Sequence, residues 1–163
     1  MLGFVRADTD KRSGVQVMTE VTLFRSFYEA GLNGDWDAAA GMLDDDCEYV
    51  MMPTMEVSTG KQAVLAAAGR GALAFNRTRP FRIIFDAATP EWGVFEFMNE
   101  GTVASGIVDF AANSDWQFTA DPQTLVGRRY SVPVCMVYHA NARRKLYRIN
   151  EYTDVTSLMK SIT

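Results

Sequence analysis

The stretch FYEAGLNGDWDAAAGMLDDDCEYVMMP, residues 27–53, decides how the rest of the chain is interpreted. Its first part continues an apolar stripe with i, i+3, i+4, i+7 spacing, which predicts a helix over residues 19–33. Asn33 and Gly34 are typical of a helix stop, and Asp35 is a good cap for a second helix. Two consecutive helices therefore open the fold.

The acidic run that follows the second helix, residues 44–46, predicts a solvated turn. Residues 47–52 then predict a strand that ends at Pro53, and an alanine-rich stretch over residues 61–75 predicts a third helix. Alternation and turn residues predict four later strands and a tail helix, at residues 79–89, 94–104, 129–140, 145–153 and 155–162. Residues 105–127 indicate a long irregular connection, of the kind that often forms the rim of a pocket.

Helices followed by a meander of strands favour an α+β fold, in which a curved antiparallel sheet wraps over the N-terminal helices. Such a sheet leaves a cone-shaped apolar cavity where a small ligand would fit. The chain has 163 residues, which predicts one domain over residues 18–163. Residues 1–17 have no periodic apolar face and are expected to form a flexible arm.

The composition excludes several classes of function. The chain has 16 Lys and Arg residues against 20 Asp and Glu residues, so it has no basic excess for binding nucleic acid. No stretch is long and apolar enough to span a bilayer, and the N-terminus lacks a signal-peptide pattern, so we expect a cytoplasmic protein with no membrane partner. His139 is the single histidine, the two cysteines are far apart, and no nucleotide or flavin motif is present; we therefore expect no metal and no other cofactor.

Several motifs, taken in order, resemble one family. They are similar to the SnoaL-like and limonene-1,2-epoxide hydrolase branch of the nuclear transport factor 2-like superfamily, which has a cystatin-like α+β fold. The motifs are NGDW at 33–36, DDDCEY at 44–49, YVMMP at 49–53, GKQAV at 60–64 and RINEYTD at 148–154. The resemblance implies a homodimer formed through the sheet. It also implies a cofactor-free acid–base enzyme that opens an epoxide or cyclises a small terpenoid or polyketide-like molecule.

The epoxide hydrolases of this branch use two carboxylates bridged by an arginine, with a tyrosine and an asparagine that hold the water. Carried over by motif, Glu151 is the carboxylate of the closing strand, Tyr49 is the tyrosine and Glu100 is the second carboxylate. A shift of one residue would place Glu96 there instead. The arginine position is occupied by Met98, and Met51 replaces the asparagine. Two converging carboxylates without a bridging arginine would share one proton.

Strand alternation predicts that Tyr147, Ile149 and Glu151 share one face, which the neighbouring apolar residues suggest is buried. The cavity wall is expected to hold the substrate through mostly apolar side chains, namely Phe27, Tyr28, Trp36, Met51, Met98 and Cys135. An isomerase of the ketosteroid type fits less well, because its first-strand aspartate aligns with Met52. The alternative is a non-catalytic binding domain, which a wholly apolar cavity would favour.

Overall fold

The computed structural model describes residues 21–78 and 82–163, so the arm predicted over residues 1–17 lies outside the described residues. The elements, in chain order, are α1 (Val21–Asn33), α2 (Trp36–Met42), β1 (Leu43–Met51), β2 (Glu56–Thr59), α3 (Lys61–Ala74), β3 (Phe75–Arg77), β4 (Arg82–Ala88), β5 (Trp92–Val103), α4 (Ile107–Ala112), a 3-10 turn (Pro122–Leu125), β6 (Arg129–Ala140), β7 (Leu146–Thr153) and α5 (Val155–Ile162).

The strands form a seven-stranded sheet in the order β2-β1-β7-β6-β5-β3, and β4 pairs with the other half of the same edge of β5. The α+β prediction is confirmed, but the sheet is mixed because β1 and β7 run parallel. Their register places Tyr49 beside Ile149 and Met51 beside Glu151. Local hairpin patterns could not reveal this pairing, since it joins strands from opposite ends of the chain.

The predicted turn at Asp44-Asp45-Asp46 is wrong, because these residues lie inside β1. Asp45 and Asp46 are exposed, whereas the Asp44 carboxylate accepts hydrogen bonds from Asn141 and Arg143 in the turn between β6 and β7. An acidic run can therefore continue a strand where a neighbouring turn supplies donors.

The connection predicted to be irregular, residues 105–127, contains α4 and the 3-10 turn and packs over the concave side of the sheet. Its aromatic side chains Phe110 and Trp116 lie 5.7 and 6.3 Å from the Phe75 ring, between ring centroids. Gly106 allows the close approach of α4 to α3, since a Cβ at Gly106 would lie 2.4 Å from the carbonyl oxygen of Leu73. This segment therefore forms an ordered cover over the cavity.

Candidate active site

A cavity lies between the concave face of the sheet, helices α1 to α3 and the cover segment. It holds about 1080 Å³ of empty space, including its opening to solvent. Aromatic side chains form much of its wall, and α3 contributes the small residues Ala67, Ala68, Gly71 and Ala72 together with the cation Arg70. A cavity with this mostly apolar wall suits a mainly apolar ligand.

Glu151 is the polar centre at one side of this cavity. The Tyr49 hydroxyl donates to Oε2 of Glu151, and the Thr153 hydroxyl donates to Oε1 at 2.6 Å. The parallel pairing of β1 with β7 brings Tyr49 there, and alternation along β7 brings Thr153. Two hydroxyl donors fix the orientation of the carboxylate.

The Tyr49 phenol remains a donor at all ordinary pH values. Burial raises the pKa of Tyr49 well above its usual value, and the negative charge and hydrogen bond of Glu151 raise it further. Tyr49 therefore acts as a hydrogen-bond donor to Glu151 and does not compete with it as a base.

Arg77 contributes a cation to the same cavity, and sequence reasoning missed it. Its guanidinium carbon lies 5.6 Å from the centroid of the Tyr28 ring. Nε of Arg77 is buried and has no hydrogen-bond partner among the described residues. Burial opposes its charge, but the surrounding Tyr28, Tyr130 and Glu151 raise the pKa of Arg77, so it stays protonated.

Arg77 reaches the cavity because β3 continues directly from α3 and pairs with the end of β5. Phe75 is buried and Asn76 exposed, so the period of two places Arg77 on the inner face. β3 comes very close to β5 at Gly101, where a Cβ would lie 1.9 Å from the Asn76 carbonyl oxygen. The alternation from Phe75 was the one sequence signal for Arg77, and a strand of three residues is too short to show it.

Five further polar side chains line the cavity, namely Glu56, Ser58, Arg70, Asn99 and Ser114. Asn99 accepts a hydrogen bond from the Tyr130 hydroxyl at 3.2 Å. Ser114, on the cover segment, has a buried hydroxyl with no partner among the described residues. Glu56, in β2, accepts from the backbone N–H of Asp115 at 3.3 Å and so ties the cover segment to the sheet.

The structure brings Glu151 and Tyr49 together but keeps Glu100 apart from them. The prediction that Glu100 converges on Glu151 is wrong, because alternation along β5 turns Asn99 into the cavity and Glu100 away from it. The Glu100 carboxylate accepts from the Ser131 hydroxyl at 3.1 Å and lies 3.6 Å from Arg82. The two carboxylates therefore do not share a proton.

Some of the residues predicted to form the cavity wall do line the cavity, and others lie on the opposite face of the sheet. Phe27, Tyr28, Trp36 and Met51 line the cavity. Met98 and Cys135 do not, because each lies on the other face of the sheet, here called the outer face. Their backbone partners are Arg82 and Pro133 for Met98, and Glu96 and Tyr152 for Cys135.

Glu96, Cys135 and Tyr147 also lie away from the cavity. Burial raises the pKa of the Cys135 thiol and the neighbouring charge of Glu96 raises it further, so both side chains are on the outer face. The expected grouping of Tyr147 with Ile149 and Glu151 is wrong. An irregularity in the β6–β7 pairing leaves Tyr147 out of register and exposed.

In the part of the chain that the structure describes, no group of three His, Cys, Asp or Glu side chains is arranged to hold a metal ion. No helix over residues 21–78 and 82–163 combines the length and the apolar character that crossing a membrane requires.

The chain matches no protein-family profile and no curated protein. Solved structures are similar over most of their length. One is an NTF2-like protein from Burkholderia xenovorans LB400, at 16% identity over 88% of this chain and 95% of that one, with a TM-score of 0.65. Another, from Pseudomonas putida KT2440, is described as a proposed polyketide cyclase (18% identity, 90% and 99% covered, TM-score 0.67). An LEH-like epoxide hydrolase from M. tuberculosis gives 16% identity, 88% and 88% covered, and a TM-score of 0.61.

These similarities confirm that the chain has the NTF2-like fold that the resemblance implied. Identities below one fifth identify no reaction, because this fold carries many unrelated functions. The side chains in the cavity must therefore carry the functional argument.

Proposed function

We propose that the protein is a cofactor-free acid–base enzyme that acts on a small, largely apolar molecule with an enolisable carbonyl group. The reaction class is an intramolecular cyclisation or an isomerisation that begins with removal of a proton. The observation that carries the proposal is that the Glu151 carboxylate, held by two hydroxyl donors, faces the same mostly apolar cavity as the Arg77 guanidinium, which forms no ion pair with a described carboxylate. Glu56 and Arg70 also line the cavity wall. The similarity to structures described as cyclases and epoxide hydrolases supports the reaction class.

Glu151 is the general base in this proposal. Its carboxylate takes the proton from the carbon next to the substrate carbonyl, and the electron pair of that C–H bond moves to the carbonyl oxygen as an enolate. In a cyclisation the enolate carbon attacks a second carbonyl of the same molecule, and Glu151 returns its proton to the new alkoxide. In an isomerisation Glu151 returns the proton to a different carbon. Atoms and charges balance without an external reactant.

Arg77 and Tyr49 support the base in different ways. Tyr49 and Thr153 hold the carboxylate in one orientation, which positions it for proton transfer. Arg77 places a fixed positive charge in a mostly apolar cavity, where it favours the negative charge that develops on the substrate oxygen.

Epoxide opening by the two-carboxylate route is less well supported. That route needs a second carboxylic acid to protonate the epoxide oxygen, and Glu100 lies on the outer face. Glu56, the other carboxylate in the cavity wall, is engaged by the backbone N–H of Asp115. Arg77 cannot donate a proton, because its pKa is raised above an already high value. Tyr49 is a poor acid for the same reason and is already engaged with Glu151.

Hydrogen–deuterium exchange of simple cyclic ketones tests proton removal without knowledge of the substrate. The protein is incubated in D₂O with 2-tetralone or 2-decalone, and loss of the α-proton signal is followed by NMR. We expect the wild type to accelerate exchange and Glu151→Gln to lose that acceleration by a factor on the order of 10²–10⁴. Glu100→Gln is the matched control and should exchange at the wild-type rate. Equal rates for wild type and Glu151→Gln would support the non-catalytic binding domain instead.

We also propose a homodimer formed through the outer face, as the resemblance implies, and a cytoplasmic location. Exposed aromatic side chains on this face, Trp92, Tyr147 and Tyr152, support the dimer. The two cysteines are free, which suits a reducing compartment. Light scattering should give twice the chain mass for the wild type and the single-chain mass for Tyr152→Asp.

A further inference from the structure

We infer that the ligand of the cavity is an organic anion, with a carboxylate that pairs with Arg77 and an apolar body that extends toward Glu151. This inference rests on the proposed function, because it names the substrate class of the same cavity. The proposed function requires only the transient negative charge that proton removal creates on the substrate. The inference is that the ligand also carries a permanent negative charge.

The first step is that Arg77 is a partly buried cation that forms no ion pair with a described carboxylate, although the charge of Glu151 acts on it through space. A guanidinium has five N–H donors in a planar fork that matches a carboxylate. Nε of Arg77 is buried and unpartnered, and no carboxylate of the described residues forms an ion pair with this side chain. A buried charge is costly unless it is paired and hydrogen-bonded. The unfilled donor therefore points to an acceptor that arrives with the ligand.

The second step is that the neighbouring groups do not fill this role. Glu151 already accepts from Tyr49 and Thr153 and acts on Arg77 only through space. Tyr28 offers the face of its ring, which attracts a cation but accepts no bidentate hydrogen bond. The Tyr130 hydroxyl donates to Asn99 and carries no charge. A ligand anion would supply both the charge and the acceptor atoms.

The third step is that the fold leaves room beside the guanidinium. The nearest turn of α3 places Gly71 against it, and a Cβ at Gly71 would lie 3.7 Å from Nη2 of Arg77. The absence of a side chain at this position keeps one side of the guanidinium uncovered. Ser114, with its buried and unpartnered hydroxyl, lines the same cavity and offers a further polar contact.

Matched acid and amide probes test the inference. We choose 2-naphthoate and 2-naphthamide, which share size and shape but differ in charge, and follow binding by quenching of Trp36 and Trp116, which line the cavity. We expect the wild type to bind 2-naphthoate at least about tenfold more tightly than 2-naphthamide, as one charge-assisted hydrogen bond implies. Arg77→Met should remove the preference. Arg82→Met, which changes an exposed cation on the outer face, should retain it.

Two further variants keep the outcome interpretable. Arg77→Lys retains the charge without the planar fork, so we expect a reduced preference for the acid, and it serves as the charge test if Arg77→Met does not fold. Glu151→Gln should keep or increase the preference, because it removes a negative charge from the cavity. Equal binding of acid and amide by the wild type, including binding of neither, would overturn the inference. A preference that survives in Arg77→Met would also overturn it.

The two proposals can fail separately. If Glu151→Gln loses α-proton exchange but the wild type binds the two probes equally, Glu151 remains the proposed base and the inference of an anionic ligand is wrong. A clear preference for 2-naphthoate together with unchanged exchange in Glu151→Gln would leave an anion-binding cavity without the proposed catalysis.

Discussion

Replacing Arg77 by methionine should make the fold more stable while it removes the preference for anions. Methionine has a similar length, no charge and a flexible apolar side chain that adapts to irregular space. The variant loses the contact of the guanidinium with the Tyr28 ring, and it relieves a buried cation whose Nε has no hydrogen-bond partner among the described residues.

The expected size follows from these opposing effects. Burying an ion costs several kcal/mol after relaxation, and this cost disappears in Arg77→Met. Against it stand the lost contact with Tyr28, about 0.5–2 kcal/mol, and the lost attraction to Glu151, roughly 1–2 kcal/mol through a protein interior. We expect a net gain of about 1–2 kcal/mol in the free energy of unfolding. For a chain of this length that gain corresponds to a rise in melting temperature of about 2–8 °C.

Urea unfolding followed by tryptophan fluorescence measures the free energy, and a thermal melt checks it. Arg82→Met is the control, since an exposed cation should change stability by no more than about 0.5 kcal/mol. The anion probes are then titrated into the same samples. A loss of more than about 1 kcal/mol in Arg77→Met would refute the reasoning, because it would show that the cation is part of the packing of the core.

Single substitutions at three other places have equally definite outcomes. Asp86→Asn should raise the melting temperature at about pH 7. Burial raises the pKa of Asp86 in the folded state above 3.8, and Arg25 only partly opposes this shift. The protonated carboxyl is therefore the form that the fold favours, and this contribution to stability is lost as the pH rises past the folded pKa. The gain in melting temperature from Asp86→Asn should vanish at about pH 3, where Asp86 is protonated. Gly101→Ala should lower the melting temperature by roughly 2–10 °C, because its Cβ would overlap the backbone of β3; an unchanged melt would contradict that contact. In the single-chain variant Tyr152→Asp, a disulfide reagent at about pH 8 should label Cys135 but not Cys47, which is buried and has a pKa raised to about 11, so adding Cys135→Ser should abolish the reaction.

The helical part of the fold was predictable because its signals are local. Gly34 adopts φ +74°, and the Asp35 side chain accepts from the backbone N–H of Ala38 at 3.1 Å, as the stop and cap residues indicate. The short strands β2 and β3 were not predictable, because four and three residues are too few to show alternation. The parallel pairing of β1 with β7 was also hidden, since it depends on tertiary contacts.

The candidate site was predictable only where a motif fixed the strand face. The closing-strand motif identified Glu151, and the first-strand motif identified Tyr49, which now donates to it. Along β5 the motif match pointed to a residue next to the one that lines the cavity. A shift of one residue exchanges the two faces of a strand. Asn99 therefore lies in the cavity where Glu100 was expected, and the cation comes from β3 at Arg77.

The positions of base and cation in the sheet also bear on the structure of the ligand. β7 carries Glu151 and β3 carries Arg77, and strands β6 and β5 lie between them. Three strand spacings of about 4.8 Å separate the two backbones by roughly 14 Å along a flat sheet. Curvature and the long arginine side chain shorten the gap, yet the two charges form no ion pair among the described residues. The two charges act on each other through space but form no ion pair, so a ligand that touches both must carry its acidic group and its enolisable carbon as separate parts of the molecule.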